Sequence, residues 1–291
     1  MKFAVVGGDM RFVKLCEMLV VDGNDVKAFA LEKQSIDNVE HCAGVREAVK
    51  GADCVVLPVP VCAREGILNA PLSGQTHTIE KILSAAGEKS LVCGGKLSPE
   101  TKALGGKYQV RLFDYLEREE MAVANAGLAA EGAVQIIMTE TPVSLKKVKC
   151  MVLGFGRLGK LVCMKLAAMG AEVFAATRSC EDRAWIKEMG YTWVDINKAG
   201  DELGNMNVIV NTVPSRVIGN DKLENIQKDA LCLDLASRPG GFDFVEVSRM
   251  GKNIIWALSL PGEVAPVTSG EIIRDTIYNI IREEKGDTTF R

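Results

Sequence analysis

The chemistry of this chain starts at Gly154, Phe155, Gly156, Arg157, Leu158 and Gly159, a Gly-x-Gly-x-x-Gly turn between the apolar run Val148 to Leu153 and a helix-forming run, Lys160 to Met169. Each glycine answers a steric demand. Gly154 permits the tight turn, Gly156 lets the backbone approach a pyrophosphate with no Cβ in the way, and Gly159 lets the helix pack closely on the strand. The helix start adds free N–H groups for phosphates. A second apolar strand, Ala171 to Ala176, follows at the right distance, so the turn is expected to hold a dinucleotide. A site for NAD ordinarily closes its second strand with Asp or Glu, about 20 residues past the glycines, on the ribose 2′-hydroxyl. Here the strand runs into Thr177, Arg178 and Ser179. A guanidinium suits bidentate pairing with a 2′-phosphate, and the two hydroxyls can add donors. The cofactor expected is NADP, with NAD the alternative; Glu181 and Asp182 belong to the next helix.

Those residues need a sheet to hold them. From Val148 the strands expected are Val148 to Leu153, Ala171 to Ala176, Thr192 to Ile196, Asn207 to Thr212, Ala230 to Leu235 and Asn253 to Leu258. Six strands with intervening helices fit a full doubly wound domain. Asn211, Thr212, Val213 and Pro214 form a polar strand tip where the nicotinamide ribose would lie. Before this domain comes another βα alternation: strands at Lys2 to Val6, Asp25 to Leu31, Asp53 to Leu57, Ser90 to Cys93 and Tyr108 to Phe113, with helices at Met10 to Val21, Val45 to Lys50 and Thr78 to Ala86. That pattern implies a parallel sheet, with ligands beyond its C-terminal strand ends at Gly7 to Arg11, Pro58 to Val61 and Gly94 to Lys96. The first turn, Gly7-Gly8-Asp9, lacks the dinucleotide spacing.

Asp114 to Glu140 reads as one long helix, and close packing is expected at Gly127 and Gly132, which weaken it on propensity. Glu131 sits in it among apolar neighbours, either as an ordinary helical carboxylate or as an acid–base group in a site. A final amphipathic helix, about Thr268 to Glu284, is expected to return to the first domain. The fold class is therefore α/β, two doubly wound, Rossmann-like parallel sheets joined by a long helix. The divisions are 1–120, the connecting helix 121–143, the cofactor domain 144–266, and the returning helix 267–291.

With 35 basic against 38 acidic residues in 291, the chain offers no charge argument for nucleic acid. Nine cysteines without a Cys-x-x-Cys pair, and only His41 and His77, argue against zinc or any other metal. Free thiols and the absence of a leader at Met1 to Val6 point to a reducing cytoplasm. The apolar run Met121 to Met138 carries Asn125 and Glu131, which are costly in a bilayer, so no membrane segment is expected.

Taken together, Ala4-Val5-Val6-Gly7-Gly8-Asp9 with Arg11, Leu57-Pro58-Val59, Glu131-Gly132, the glycine turn, Arg178-Ser179, Asn211 to Ser215, the run Leu233-Asp234-Leu235-Ala236-Ser237-Arg238-Pro239-Gly240-Gly241, and Leu260-Pro261-Gly262 with Val264-Ala265-Pro266 resemble the dipicolinate synthase A-subunit family along nearly the whole chain. The cofactor domain is also similar to that of the D-2-hydroxyacid dehydrogenases, and Arg238 stands where those enzymes carry a catalytic arginine. Their acid–base histidine is absent from Ser259 to Pro266. The first resemblance implies oxidation of a dihydrodipicolinate, derived from 4-hydroxytetrahydrodipicolinate, to dipicolinate in sporulation. It implies Ala236, Ser237 and Pro261 as further cofactor contacts, and Arg11, Lys96 and Arg238 as partners for the two substrate carboxylates. Asp9, Glu131 or water would take the proton. A smaller B subunit is implied as partner, and a homo-oligomer is left open. Two alternatives stand beside this one: an NADP-dependent dehydrogenase of another small carboxylic acid, and a non-catalytic NADP-binding partner of the B subunit.

Overall fold

The structure is a computed structural model that describes residues 1–88 and 90–286, and it divides into two compact units, 1–125 with 265–291, and 126–264. The first unit contains β1 (Lys2–Val6), α1 (Met10–Val21), β2 (Asp25–Phe29), β3 (Glu40–His41), α2 (Val45–Val49), β4 (Cys54–Val56), β5 (Cys62–Arg64), β6 (Ile67–Leu68), α3 (Ile79–Ala86), β7 (Leu91–Gly94), α4 (Pro99–Lys107) and β8 (Arg111–Asp114). Helix α5 (Glu119–Glu140) straddles the boundary. The second unit continues with β9 (Lys149–Leu153), α6 (Arg157–Ala168), β10 (Glu172–Thr177), α7 (Cys180–Glu188), β11 (Thr192–Asp195), α8 (Ala199–Glu202), β12 (Val208–Asn211), α9 (Asn220–Leu223), β13 (Leu231–Asp234), α10 (Phe244–Arg249), β14 (Asn253–Trp256) and α11 (Leu260–Val264). Helix α12 (Pro266–Glu284) belongs to the first unit.

Each unit has a six-stranded parallel sheet, ordered β3-β2-β1-β4-β7-β8 in the first and β11-β10-β9-β12-β13-β14 in the second. The α/β doubly wound expectation holds for both. Because side chains alternate across a strand, Phe3 and Val5 of β1 enter a core with α1 and α12, while Ala4 and Val6 enter another with α2 and α3. In the second unit Cys150 and Val152 of β9 pack with α5, α6 and α7, and Met151 and Leu153 face a core closed by α9 and α10. These buried strands are apolar on both faces, as parallel sheets covered by helices require.

The long helix begins later than its composition suggests. Asp114 ends β8 instead of starting the helix, because its carboxylate accepts the N–H groups of Lys96 (3.0 Å), Leu97 (2.7 Å) and Leu116 (2.9 Å), and a 3₁₀ turn, Tyr115–Glu117, follows. By length and apolarity α5 could cross a membrane. Part of its apolar surface is used inside the protein: Met121 enters the first unit's core, and Ala130, Ala133, Val134 and Ile137 enter the second's, while Val123 and Met138 are exposed. The close packing expected at both helix glycines is found at one, where a Cβ on Gly132 would lie 3.1 Å from Leu260, while nothing lies within 4 Å at Gly127. Helix α12 packs on α1, where a Cβ on Gly270 would meet the Arg11 carbonyl oxygen at 2.9 Å. The β5–β6 hairpin and α4 are additions to the sequence expectation; Ser98, which caps α4, and Pro99 at its first turn were its readable signal.

Candidate functional site

The glycine turn of the second unit separates its three glycines by what surrounds them. Gly154 has φ +93°, and a Cβ there would meet Thr212 Oγ1 at 2.6 Å; a Cβ on Gly159 would strike the Gly154 carbonyl oxygen at 2.2 Å. A Cβ on Gly156 would meet nothing within 4 Å. Gly154 and Gly159 therefore shape the turn, and Gly156 leaves open the space in front of α6. Gly156, at the N-cap of this 12-residue helix, makes no side-chain hydrogen bond to it, and a helix start is a general place for an anion. Phe155 is buried, with the Lys160 ammonium 5.4 Å from its ring centre, and Leu158 is half-buried. Arg157 begins α6 at the surface.

A cavity of about 370 Å³ lies beyond the strand ends next to this turn, lined by Gly154, Thr177, Arg178, Ile196, Asn197, Val213, Ser215, Arg216 and Val217. Arg178 is exposed at the tip of β10. Thr177 is buried, accepts the Ser179 N–H at 3.1 Å, and lies 3.4 Å from Asp182 Oδ2 through its hydroxyl; Ser179 caps α7 by accepting the Asp182 N–H at 3.2 Å. These two hydroxyls hold the turn that presents Arg178. Asp182 is also paired with Lys160 at 3.2 Å, across the α6–α7 gap. Asn197, Ser215 and Arg216 are lining residues that sequence spacing did not single out. Ser215 and Arg216 directly follow the polar tip at Pro214, and that adjacency was the available signal.

On the other side of the turn, Thr212 donates its hydroxyl to the Leu153 carbonyl at 2.9 Å, tying β12 to β9. Asn211, wholly buried, donates to the Val213 carbonyl (2.9 Å) and to Asp234 (2.8 Å) and accepts the Val213 N–H (3.1 Å). Asp234, equally buried, also accepts the N–H groups of Ala236 (3.0 Å) and Gly241 (2.7 Å). A buried carboxylate is tolerated when its lone pairs are filled, and filling these closes residues 236–241 into a fixed loop. Gly240 has φ +82°, and a Cβ on Gly241 would lie 2.3 Å from the Asn211 side chain, so neither accepts a larger residue. Exposed Ser237 and Arg238 ride on this loop, with the guanidinium 5.3 Å from the Trp256 ring centre; Trp256 stacks on Phe244 and donates to the Ala236 carbonyl at 2.9 Å. Ser259 takes φ +61° and Pro261 is buried in α11, while Pro214 is exposed.

Glu131 lies on α5 with its carboxylate 3.0 Å from the Lys165 ammonium of α6, and the pair is half-exposed. Among the described residues Glu131 and Arg238 share no hydrogen bond or ion pair. In the first unit Asp9 and Arg11 are brought together and already engage each other. The guanidinium, 8% exposed, holds Asp9 through Nε at 2.9 Å and a terminal nitrogen at 2.7 Å, and donates to the Val59 carbonyl at 2.7 Å. Asp9 also caps α1 by accepting the Arg11 N–H at 3.1 Å. Lys96 is exposed, with φ +60° after β7. Away from the strand tips, Glu40, Cys42 and Glu47 bring ligand-type atoms within 4.8 Å of one another, and Lys27 pairs with Glu40 at 3.1 Å.

Comparison with known proteins follows the same division. Residues 2–116 match the family described as the N-terminal domain of the dipicolinate synthase A subunit. Residues 126–237 match the D-isomer specific 2-hydroxyacid dehydrogenase, NAD binding domain. The dipicolinate synthase A subunit of Bacillus subtilis (strain 168) is 27% identical over 293 aligned positions, covering 97% of this chain and 96% of the relative. The crystal structure of the dipicolinate synthase A chain from Bacillus subtilis superposes with a TM-score of 0.88 at 26% identity, covering 99% of this chain and 97% of that one. That of the A subunit from Bacillus halodurans gives 0.89 at 26%, covering 96% and 97%. The matches support an oxidoreductase that uses a nicotinamide cofactor. The chain is similar to the dipicolinate synthase A subunit over nearly its whole length, and residues 126–237 of its second unit match the dinucleotide-binding domain of the D-2-hydroxyacid dehydrogenases.

Proposed function

We propose that the chain is an NADP-dependent oxidoreductase that converts a dihydrodipicolinate, formed from 4-hydroxytetrahydrodipicolinate, to dipicolinate in the cytoplasm during sporulation. The observation that carries this reading is the likeness of the whole chain, at matched length, to the dipicolinate synthase A subunit. The residues fit a dinucleotide on independent grounds: the open space at Gly156, the uncapped start of α6 and the adjoining cavity. Gly154 to Gly159 would hold the pyrophosphate, Thr177 to Ser179 the adenosine ribose, and Thr212, Val213, Pro214, Ala236, Ser237 and Pro261 the nicotinamide end. The cofactor, when bound, supplies a hydride acceptor.

The substrate supplies most of the driving force, because losing a hydride and a proton makes its ring aromatic. The protein's task is then orientation and carboxylate binding. Arg238 in the second unit, and Arg11 and Lys96 in the first, are the proposed carboxylate partners. Asp9 and Glu131 are the proposed proton acceptors, each sharing its charge with a cation in the free protein, with water as the third. A smaller B subunit is the proposed partner.

NADP is favoured over NAD because Arg178 lines a cavity none of whose lining residues is acidic. A charge-assisted contact of about 1.5–3 kcal/mol corresponds to roughly a tenfold to hundredfold preference. Titration of both cofactors should show that preference in the wild type and a reduced one in Arg178→Ala; equal wild-type affinities would reject NADP. Supplied with NADP⁺ and freshly made hydroxytetrahydrodipicolinate, the purified chain should form NADPH and a pyridine absorbance in step. NADPH formed from simple 2-hydroxy acids, with none from this precursor, would favour the dehydrogenase reading, which the second-unit match and Arg238 support. Pyridine formed only with the B subunit, and unaffected by Arg238→Ala, would leave this chain as a binding partner.

A further inference from the structure

The strand order of the second unit places β12 beside β9 and β10 beyond it. The loop after β12 therefore shares a cavity wall with the β10 and β11 tips, although these segments are far apart in sequence. The result is one cavity with Arg178 from β10, Asn197 after β11, and Ser215 and Arg216 after β12. None of its nine lining residues is acidic. Two guanidiniums lining one cavity that has no acidic lining residue make it a favourable place for an anion.

We infer that Arg216 is a second guanidinium for the cofactor's 2′-phosphate, acting with Arg178 and setting the preference for NADP over NAD; this rests on the proposed cofactor. Arg216 is anchored for that role. One terminal nitrogen lies 2.8 Å from Asp243, which caps α10 by accepting the Glu246 N–H at 3.1 Å and receives the Asn220 amide at 3.4 Å. Asp243 lies outside the cavity lining, so it orients the arginine and leaves the remaining N–H donors for a ligand. A phosphate brings three acceptor oxygens and nearly two charges, which two planar forks satisfy better than one. A ribose hydroxyl brings no charge to Arg178 and adds none to the Arg216–Asp243 pair, so the two arginines favour NADP over NAD. Arg216 is 61% exposed, so its share should be smaller than that of Arg178.

The test titrates NADP⁺, NAD⁺ and adenosine 2′,5′-bisphosphate into the wild type, Arg216→Ala, Arg216→Gln, Arg216→Glu, Arg178→Ala and the double alanine variant. Arg216→Ala and Arg216→Gln should weaken NADP⁺ and the bisphosphate by about tenfold and leave NAD⁺ within about twofold. The charge reversal should cost more, and the double variant should lose the preference altogether. An unchanged NADP⁺-to-NAD⁺ ratio in Arg216→Ala, with the ratio collapsed in Arg178→Ala, would overturn the inference and leave the NADP reading standing. Equal weakening of NAD⁺ and NADP⁺ would also overturn it, placing Arg216 on a part common to both. A wild type without preference would reject both readings.

Discussion

The two units share a strand order, so their first βα turns occupy equivalent places, at Gly7-Gly8-Asp9 and at Gly154 to Gly159. In the second unit the turn is open in front of its helix. In the first it is filled by the chain itself. A Cβ on Gly7 would meet Leu68 at 2.7 Å, one on Gly8 would meet the Phe12 ring at 2.2 Å, and the Gly8 N–H is taken by the Asn69 carbonyl at 2.9 Å. Asp9 supplies the helix cap, and buried Arg11 neutralises it. A carboxylate of the chain caps the helix in the first unit, where the second unit has Gly156 and no side-chain cap. One topology thus carries a turn filled by its own side chains or one left open in front of its helix, and the side chains beside the glycines decide which.

The sharpest way to break this contrast is to add a Cβ to each glycine of the open turn. Gly159→Ala forces a methyl group onto the Gly154 carbonyl oxygen and should abolish cofactor binding by deforming the turn, with a stability loss of about 1–3 kcal/mol. Gly156→Val should abolish cofactor binding with circular dichroism and Tm near wild type, because its side chain points into open space. A Gly156→Val protein that unfolds would show that this glycine is structural, and the contrast would fail.

The next effect belongs to the filled turn. Arg11→Ala leaves the Asp9 carboxylate and the Val59 carbonyl without their partner, and breaking a buried ion pair typically costs about 3–5 kcal/mol. Because Asp9 is 36% exposed, the lower end is expected. Denaturant unfolding should show this loss, together with reduced turnover. NADP⁺ affinity of the folded protein should stay near wild type. An Arg11→Ala protein of wild-type stability that has lost only substrate affinity would mean that Arg11 serves the ligand more than the turn.

The sequence carried this contrast unevenly. Gly-x-Gly-x-x-Gly, the strand that follows it and the missing carboxylate at Arg178 are local signals, and the sheet order follows from βα alternation. What could not be read along the chain depended on strand order: Arg216 lining the cavity of Arg178, and Asn211 of β12 bound to Asp234 of β13. The start of α5 was missed for a similar reason, since Asp114 is held in β8 by N–H groups from a distant segment. The Val59 carbonyl that Arg11 engages was likewise not announced by anything local to Arg11.

The smallest effect concerns what holds the filled turn closed. The segment from Asn69 to His77 lies against it and is fastened by Ser73, which donates to Glu32 at 2.7 Å and contacts His77 Nε2 at 3.0 Å, while the Gly74 N–H donates to Glu32 at 2.8 Å. Partial burial raises the Glu32 carboxyl, but the Ser73 hydroxyl and the backbone N–H donors outweigh it and hold the group below its ordinary value. Burial lowers the His77 imidazole, against the pull of Glu32. Both groups are depressed in the folded state, so the signs agree: their contributions are present at neutral pH and are lost as pH falls. The loss begins below about 6.5 for His77 and below about 4.3 for Glu32, and continues through each lowered folded value. Glu32 is exposed, which limits its share to under about 1 kcal/mol. In Tm measured against pH, Glu32→Gln should fall below wild type near neutrality and converge with it as the acid is protonated. His77→Gln should escape the loss that the wild type shows below about pH 6.5. Parallel curves for the wild type and both variants would mean that this polar clasp does not hold the segment, and that the first turn is kept filled by Leu68 and Phe12 alone.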